Sequence, residues 1–292
     1  MQKMASFLAH DNYVLALKFT SDKQTLVSGG MDSVIRLWDV QDWNMKRSVT
    51  GHANSVHTMD LAVDEKQLAT GSTDRTVKLW SFPQMELMHS LQDRKKTVAT
   101  VSFSPDGQWM AAGSYGGRVA IWSRDGELVV AFAASKKNLS SIAFAPNGKL
   151  LAAAGLGDDI TLWSLPEGEQ VGTLKGHIIA VGSLRFIQNG RRLVSMGYRQ
   201  AIRFWDTATW ETVAEHQLEP DSETRGVLIS PNEDQAAISM ESRVQLRHVS
   251  SWELQAEIPI GTKVVSSLAY SVDGQLLAAG GADKKIRIWS LL

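Results

Sequence analysis

Cysteine is absent from the sequence, which excludes a disulfide framework and any metal site built on thiolates. No apolar run approaches the roughly 18 residues of a membrane-spanning helix, and the N-terminal MQKMASFLAHDNYV lacks the apolar core of a signal peptide. Lysine and arginine number 30 against 31 for aspartate and glutamate, so neither charge is in excess. We therefore expect a soluble cytoplasmic protein that binds neither membrane nor nucleic acid.

Motifs of the common enzyme classes are also missing. The chain has no GxGxxG, GxxxxGK[ST], HExxH or GxSxG pattern and no EF-hand loop. His57, His89, His216 and His248 are isolated along the sequence, whereas metal ligands usually occur in clusters. We predict a non-enzymatic protein with no catalytic residue, no metal and no cofactor.

Tryptophan, in contrast, recurs with a fixed period. Six of the ten tryptophans end similar motifs: VIRLW, TVKLW, RVAIW, DITLW, AIRFW and KIRIW, at Trp38, Trp80, Trp122, Trp163, Trp205 and Trp289. Their separations are 42, 42, 41, 42 and 84, and the midpoint of the last interval is Arg247 in RVQLRHV. The sequence therefore contains seven repeats of about 42 residues.

Each repeat predicts four short antiparallel strands, because apolar residues alternate with period two between turns such as SPDGQ and APNGK. Such a sheet must stack on copies of itself to bury both faces, and radial stacking gives a seven-bladed, all-β propeller. Residues 3 to 8, KMASFL, resemble the outer strands and are expected to complete the last blade, which closes the ring. We expect residues 1–292 to form this single domain.

The repeats resemble those of the WD-repeat family. Gly51-His52 and Gly176-His177 match the family's Gly-His pair, and Trp38-Asp39 and Trp205-Asp206 match its name-giving dipeptide. His10, His52 and His177 each lie 28 residues before the tryptophan of their repeat, and the resemblance extends over residues 3–292.

The resemblance implies a buried hydrogen-bonded tetrad in each blade. The first two repeats hold all four side chains: His10, Ser28, Asp32 and Trp38, then His52, Thr70, Asp74 and Trp80. The fifth repeat holds His177, Ser195 and Trp205, with Arg199 in the aspartate position; the seventh keeps Asp283 and Trp289 but has Ala279. The third repeat has Gly116, the fourth shifts its acid to Asp158, and the sixth retains none. Because the Ser, His and Asp set recurs around the ring, we interpret it as a rigidifying network and not as a catalytic triad.

The family resemblance also implies that partners dock on the narrow face of the ring. One position per repeat, just before the tight-turn aspartate, reaches that face: Met31, Thr73, Tyr115, Leu156, Tyr198, Met240 and Ala282. Most are large and apolar, which is typical of a binding surface, although such side chains could also only cap the channel. With the positions at the start of the innermost strands, the expected partner-binding residues are Tyr13, Leu15, Met31, His57, Tyr115, Leu156, Tyr198, Arg225 and Met240.

The leading hypothesis is a protein-interaction scaffold, monomeric alone and a subunit of a larger assembly, that binds a peptide or protein domain. A small-ligand or enzymatic propeller is the alternative, and Glu223 and Arg225 would be its charged residues at the channel mouth. A third hypothesis is phosphate or nucleic-acid recognition by two basic loops, Arg94-Lys95-Lys96 and Lys136-Lys137.

Overall fold

The computed structural model describes residues 1–92, 96–157, 159–198, 201–218, 224, 226–261 and 264–292. These residues form seven four-stranded antiparallel sheets, one for each repeat, and a single 3-10 turn at Gln188–Gly190. None of the described segments is a helix long and apolar enough to span a membrane. The fold is the predicted seven-bladed β-propeller.

The blades are numbered in the order of the repeats, and each is given from its innermost to its outermost strand. Blade one contains β2 (Val14–Phe19), β3 (Thr25–Gly30), β4 (Val34–Asp39) and β5 (Met45–Thr50). Blade two contains β6 (Val56–Leu61), β7 (Gln67–Ser72), β8 (Val77–Ser81) and β9 (Leu87–Leu91). Blade three contains β10 (Val98–Phe103), β11 (Trp109–Ser114), β12 (Arg118–Ser123) and β13 (Leu128–Ala133). Blade four contains β14 (Leu139–Phe144), β15 (Leu150–Gly155), β16 (Ile160–Ser164) and β17 (Gln170–Leu174).

The three remaining blades have the same strand order. Blade five contains β18 (Val181–Ile187), β19 (Arg192–Gly197), β20 (Ala201–Asp206) and β21 (Thr212–Gln217). Blade six contains β22 (Gly226–Ile229), β23 (Gln235–Ser239), β24 (Arg243–His248) and β25 (Leu254–Pro259). Blade seven contains β26 (Val265–Tyr270), β27 (Leu276–Gly281), β28 (Lys285–Ser290) and, outermost, β1 (Gln2–Leu8).

Blade seven joins the two ends of the chain. Strand β1 pairs antiparallel with β28, with Lys3 opposite Trp289 and Leu8 opposite Lys285. The prediction that the N-terminal strand completes the last blade and closes the ring is therefore confirmed.

The chain divides into two compact units. The first unit comprises Met1–Met59 and Glu223–Leu292, and the second comprises Asp60–Ser222. In the first unit, apolar clusters lie between blades seven and one, around Phe19 and Ile288, and between blades six and seven. In the second unit, the clusters lie between consecutive blades from two to five. Face-to-face packing of neighbouring sheets thus provides the core of each unit.

The strands differ in burial according to their place in the blade. All six residues of β7, QLATGS, are buried, whereas β5, MKRSVT, is mostly exposed. Small residues suit the middle strands because neighbouring blades approach closely there. At Gly29 an added Cβ would lie 2.8 Å from both Met59 Cε and Val56 Cγ1, so a larger residue would push blade one away from β6.

Candidate functional site

Blade one contains a continuous buried network of four side chains. The hydroxyl of Ser28 accepts a hydrogen bond from Trp38 Nε1 at 2.8 Å and lies 2.8 Å from His10 Nε2. The other ring nitrogen of His10, Nδ1, lies 2.9 Å from Asp32 Oδ1. The network therefore connects the segment before β2, the strands β3 and β4, and the turn between them.

The Asp32 carboxylate also holds the turn through two further donors. Arg36 Nη1 donates to Asp32 Oδ2 at 2.8 Å, and the Asp11 backbone N–H donates to the same oxygen at 2.9 Å. Burial opposes ionisation of Asp32, but the hydrogen bonds from Arg36 and Asp11 and the nearby His10 outweigh it and lower the pKa of Asp32 below its usual 3.8. Asp32 is therefore a carboxylate at neutral pH.

The connectivity of Ser28, His10 and Asp32 is that of a nucleophilic triad, yet the site cannot act as one. Ser28 is completely buried, and its oxygen is already engaged by the indole of Trp38. No substrate carbonyl can approach an oxygen that has no exposed surface. Burial also lowers the pKa of His10 below its usual 6.5, even though Asp32 favours its protonation. Ser28 and His10 are therefore packed and hydrogen-bonded inside the blade, closed to a substrate.

Contacts of the tetrad recur in blades two and five. In blade two, Trp80 Nε1 donates to Thr70 Oγ1 at 2.8 Å, Asp74 Oδ1 accepts the Thr76 N–H at 2.9 Å, and His52 is buried. In blade five, Ser195 Oγ lies 2.7 Å from His177 Nε2 and accepts from Trp205 Nε1 at 2.8 Å. Arg199 and Asp158, at the acid positions of blades five and four, lie outside the described residues.

In blade five, where the aspartate is replaced, a buried imidazole nitrogen has no partner among the described residues. His177 Nδ1 is buried and makes no hydrogen bond within the described part of the chain. Arg203 occupies the position in blade five that Arg36 occupies in blade one. Its Nη2 instead forms a salt bridge with Glu215 Oε2 at 2.9 Å. Burial and the positive charge of Arg203 lower the pKa of His177 to about 4. The imidazole of His177 is therefore neutral at physiological pH.

Blades four, six and seven use other polar contacts. In blade four, Trp163 Nε1 donates to Thr161 Oγ1 at 2.9 Å, and in blade seven Arg287 pairs with Asp283. In blade six, Gln245 Nε2 donates to Glu257 Oε1 at 2.7 Å, and Gln245 Oε1 accepts a hydrogen bond from Arg247 Nε. Arg247 occupies the position that the periodic tryptophan has in the other repeats. Blade six therefore forms a complete sheet with a polar network of its own.

Two of the expected partner-binding residues of the first unit, Tyr13 and Met31, lie beside the start of β2. The N–H of Met31 donates to the Tyr13 carbonyl at 2.8 Å, which places both residues at the same end of blade one, called here the turn end. Both side chains are exposed. Leu15 and His57, each the second residue of its strand, are partly exposed, and burial lowers the pKa of His57 below its usual 6.5.

Residues of the second unit repeat this arrangement. The backbone N–H groups of Tyr115, Leu156 and Tyr198 donate to the carbonyls of Thr97, Asn138 and Ala180 at 2.9, 2.8 and 2.7 Å. The side chains of Tyr115 and Leu156 are exposed, Leu156 by 55%, and Tyr198 is half-buried. The structure therefore places these three side chains at the turn ends of blades three, four and five.

Sequence reasoning missed two residues beside Tyr198. Ile178 and Ile179 directly precede Ala180 and are 78% and 52% exposed. Two adjacent isoleucines in a loop after the Gly176-His177 pair, where no strand requires them, were the available signal. These two residues and Tyr198, together with Leu156 of the neighbouring blade four, are called here the blade-five apolar group.

The expectation that Met240 reaches the same surface is wrong, because Met240 is only 2% exposed. In blade one, Leu26 of β3 pairs with Trp38 of β4, and the two are twelve residues apart in sequence. The equivalent pair in blade six, Ala236 and Arg247, is only eleven residues apart. The turn between β23 and β24 is therefore one residue shorter, and Met240 takes the buried position of Gly30. Glu223 and Arg225, which were expected near the channel mouth, lie outside the described residues.

Two family models match this chain. The model described as IFT122 first beta-propeller matches residues 13–224, and the model described as WD domain, G-beta repeat matches residues 253–290. Together they cover parts of all seven blades.

Three curated proteins illustrate the relatives of the chain. Periodic tryptophan protein 2 homolog from Neurospora crassa is 29% identical over 149 residues, covering 44% of this chain and 16% of that protein. Transcription factor unc-37 from Caenorhabditis elegans is 26% identical over 120 residues, covering 41% of this chain and 19% of that protein. Small ribosomal subunit protein RACK1 from Candida albicans is 28% identical over 125 residues, covering 40% of this chain and 39% of that protein. The matched segments thus span well under half the length of each relative.

Proposed function

This chain belongs to the WD-repeat β-propeller family, and from that premise we propose that it is a non-catalytic scaffold that docks a peptide or protein domain on its narrow face. We further propose that residues 1–292 act as one propeller domain and as a subunit of a larger assembly. A relative that is named as a protein of the small ribosomal subunit is itself part of such an assembly, which favours this role.

The blade-five apolar group is the observation that carries the proposal. Leu156, Ile178 and Ile179 are all more than half exposed, although no requirement of folding keeps large aliphatic side chains in water at a turn. Burial of apolar surface yields about 25 cal/mol per Å², so these side chains would gain stability from a partner that covers them. Ile178 and Ile179 are adjacent in the chain, and contiguous exposed apolar surface is typical of interaction sites.

Backbone hydrogen bonds hold this surface in a fixed geometry. Leu156 and Tyr198 are anchored through their N–H groups to Asn138 and Ala180, and the hydroxyl of Ser140 donates to the Val181 carbonyl, which links blades four and five. A rigid surface loses little conformational entropy on binding, so more of the contact energy contributes to affinity. In the first unit, Tyr13 and Met31 form a second exposed group, for which we propose the same use.

The test compares two double variants of the second unit in cells of the source organism. Leu156→Ser with Ile179→Ser removes apolar surface from the blade-five group, whereas Val63→Ser with Val171→Ser removes similarly exposed apolar surface elsewhere in that unit. Each tagged protein is purified and its partners are quantified by mass spectrometry. We expect the first variant to lose partners that the wild type and the second variant retain.

Two results would contradict the proposal. If both variants keep the partners of the wild type, the blade-five apolar group is not the docking site. If the wild type itself recovers no partner above an untagged control, the scaffold function is wrong. Unchanged circular dichroism and melting temperature of both variants are the control for folding.

A further inference from the structure

A cleft lies between blades two and three, within the second unit. The cleft is narrow: its space amounts to about 310 Å³ only when the open solvent at its mouth is included. Three cationic residues line it, Arg75 from blade two and Lys96 and Arg118 from blade three, and its walls are apolar and include Val77 and Leu91.

The cleft lies where blade three lacks its tetrad. Ala112 lies as far before Trp122 in the third repeat as Ser28 lies before Trp38 in the first. Gly116 corresponds in the same way to Asp32. Ala112 and Trp122 both line the cleft, and alanine offers no hydroxyl to the indole nitrogen. In blade one the corresponding positions carry the larger polar side chains of Ser28 and Asp32, which are hydrogen-bonded to His10.

The charge at this position is inverted relative to blade one. There, the Asp32 carboxylate accepts hydrogen bonds from Arg36 and from the Asp11 backbone. In blade three the stem of Lys96 runs beside Gly116, since a Cβ added to Gly116 would lie 3.5 Å from Lys96 Cγ. No acidic residue lines the cleft among the described residues, and within them neither Arg75 nor Lys96 forms a salt bridge. Blade three thus offers cations at the place where blade one has its own anion.

We propose that this cleft binds the phosphate group of a phosphoserine side chain from a partner protein. A phosphate monoester carries a charge of about −1.5 to −2 and three acceptor oxygens, which matches a cleft lined by cationic side chains such as Arg75 and Lys96 better than a single carboxylate does. The apolar walls suit the methylene group that joins the phosphate to the peptide. Trp122 is the one aromatic ring among the described lining residues and is 5% exposed, so a nucleobase has no surface on which to stack.

The proposal is tested by calorimetric titration of the full chain at low ionic strength. The probes are N-acetyl-phosphoserine amide, its unphosphorylated counterpart, inorganic phosphate and AMP. We expect the phosphoserine probe to bind more tightly than the other three. Lys96→Gln and Arg75→Gln should each weaken its binding about tenfold, as expected for the loss of one charge-assisted hydrogen bond. Lys149→Gln, at an exposed lysine of the same unit, should change the affinity less than about twofold.

Three results would overturn the proposal. Equal binding of the phosphorylated and unphosphorylated probes would exclude a phosphate site. An equal loss in Lys96→Gln and Lys149→Gln would show diffuse charge attraction instead of a defined cleft. Binding of inorganic phosphate or AMP at least as tight as that of the phosphoserine probe would assign the cleft to a free anion or a nucleotide. The docking experiment changes other residues, Leu156 and Ile179, so either proposal can fail alone.

Discussion

Replacement of Ser28 by alanine removes a single oxygen atom from the centre of blade one. That oxygen accepts the Trp38 indole hydrogen bond and lies 2.8 Å from His10 Nε2. When His10 donates from Nδ1 to Asp32, its Nε2 accepts the Ser28 hydroxyl proton, so the substitution leaves one buried donor and one buried acceptor unpaired. Almost no volume is lost, so a cavity contributes little.

The expected destabilisation follows from these two orphaned groups. A buried polar group that loses its partner costs about 1–3 kcal/mol, so Ser28→Ala should lower the free energy of unfolding by about 2–6 kcal/mol. That is a large part of the roughly 5–15 kcal/mol of a typical domain. The measurement is urea unfolding at neutral pH, followed by far-ultraviolet circular dichroism.

Ser48→Ala is the matched control, because Ser48 pairs opposite Arg36 in the same blade but is exposed on β5. It should change the free energy of unfolding by no more than about 0.5 kcal/mol. If Ser28→Ala also costs less than about 1 kcal/mol, the tetrad does not rigidify the blade, and the reasoning from buried polar groups is refuted.

Two further predictions concern His177 and Met240. The pKa of His177 is about 4 in the folded chain, whereas its ordinary value is 6.5. Because the unfolded chain therefore binds the proton more readily, up to about 3 kcal/mol of the free energy of unfolding is lost as the pH falls from 6.5 to 4. The urea midpoint should fall less steeply with decreasing pH in His177→Gln than in the wild type. Equal slopes in the two proteins would contradict the lowered pKa of His177. Met240→Ala should lower the free energy of unfolding by about 2–5 kcal/mol, whereas Glu241→Ala, at the exposed neighbour, should have almost no effect. Equal and small effects in urea unfolding would show that Met240 is not part of the core.

The sequence predicts the fold because the same physical constraints recur seven times. Strand alternation and turn residues recur in every repeat, and the periodic tryptophan recurs in six of the seven. The outer-strand pattern of residues 3–8 identifies the partner of β28. Such agreement between local and global preferences is what makes a fold readable. Met240 could not be placed correctly, because its register was counted from Arg247 and a turn shortened by one residue leaves no mark in composition.

The surfaces are less predictable than the blades. Tyr115 and Leu156 could be assigned to turns by register, but the exposure of Ile178 and Ile179 depends on a loop whose conformation no repeat dictates. The cleft beside Lys96 could not be foreseen either. Its existence depends on which side chains of two neighbouring blades fail to fill the space at Ala112 and Gly116, and a period of 42 residues does not encode this.

The pairing of β1 with β28 has a consequence for synthesis on the ribosome. At about 5–20 residues per second, roughly 15 to 60 seconds separate the translation of the two strands. During that time β1 is an unpaired strand with a free edge, which is the kind of segment that joins neighbouring nascent chains. The charged Lys3 in this strand reduces that hazard. The sheet of blade seven thus pairs strands that are more than 270 residues apart in sequence, and we expect this non-local pairing to make its assembly a slow step of folding.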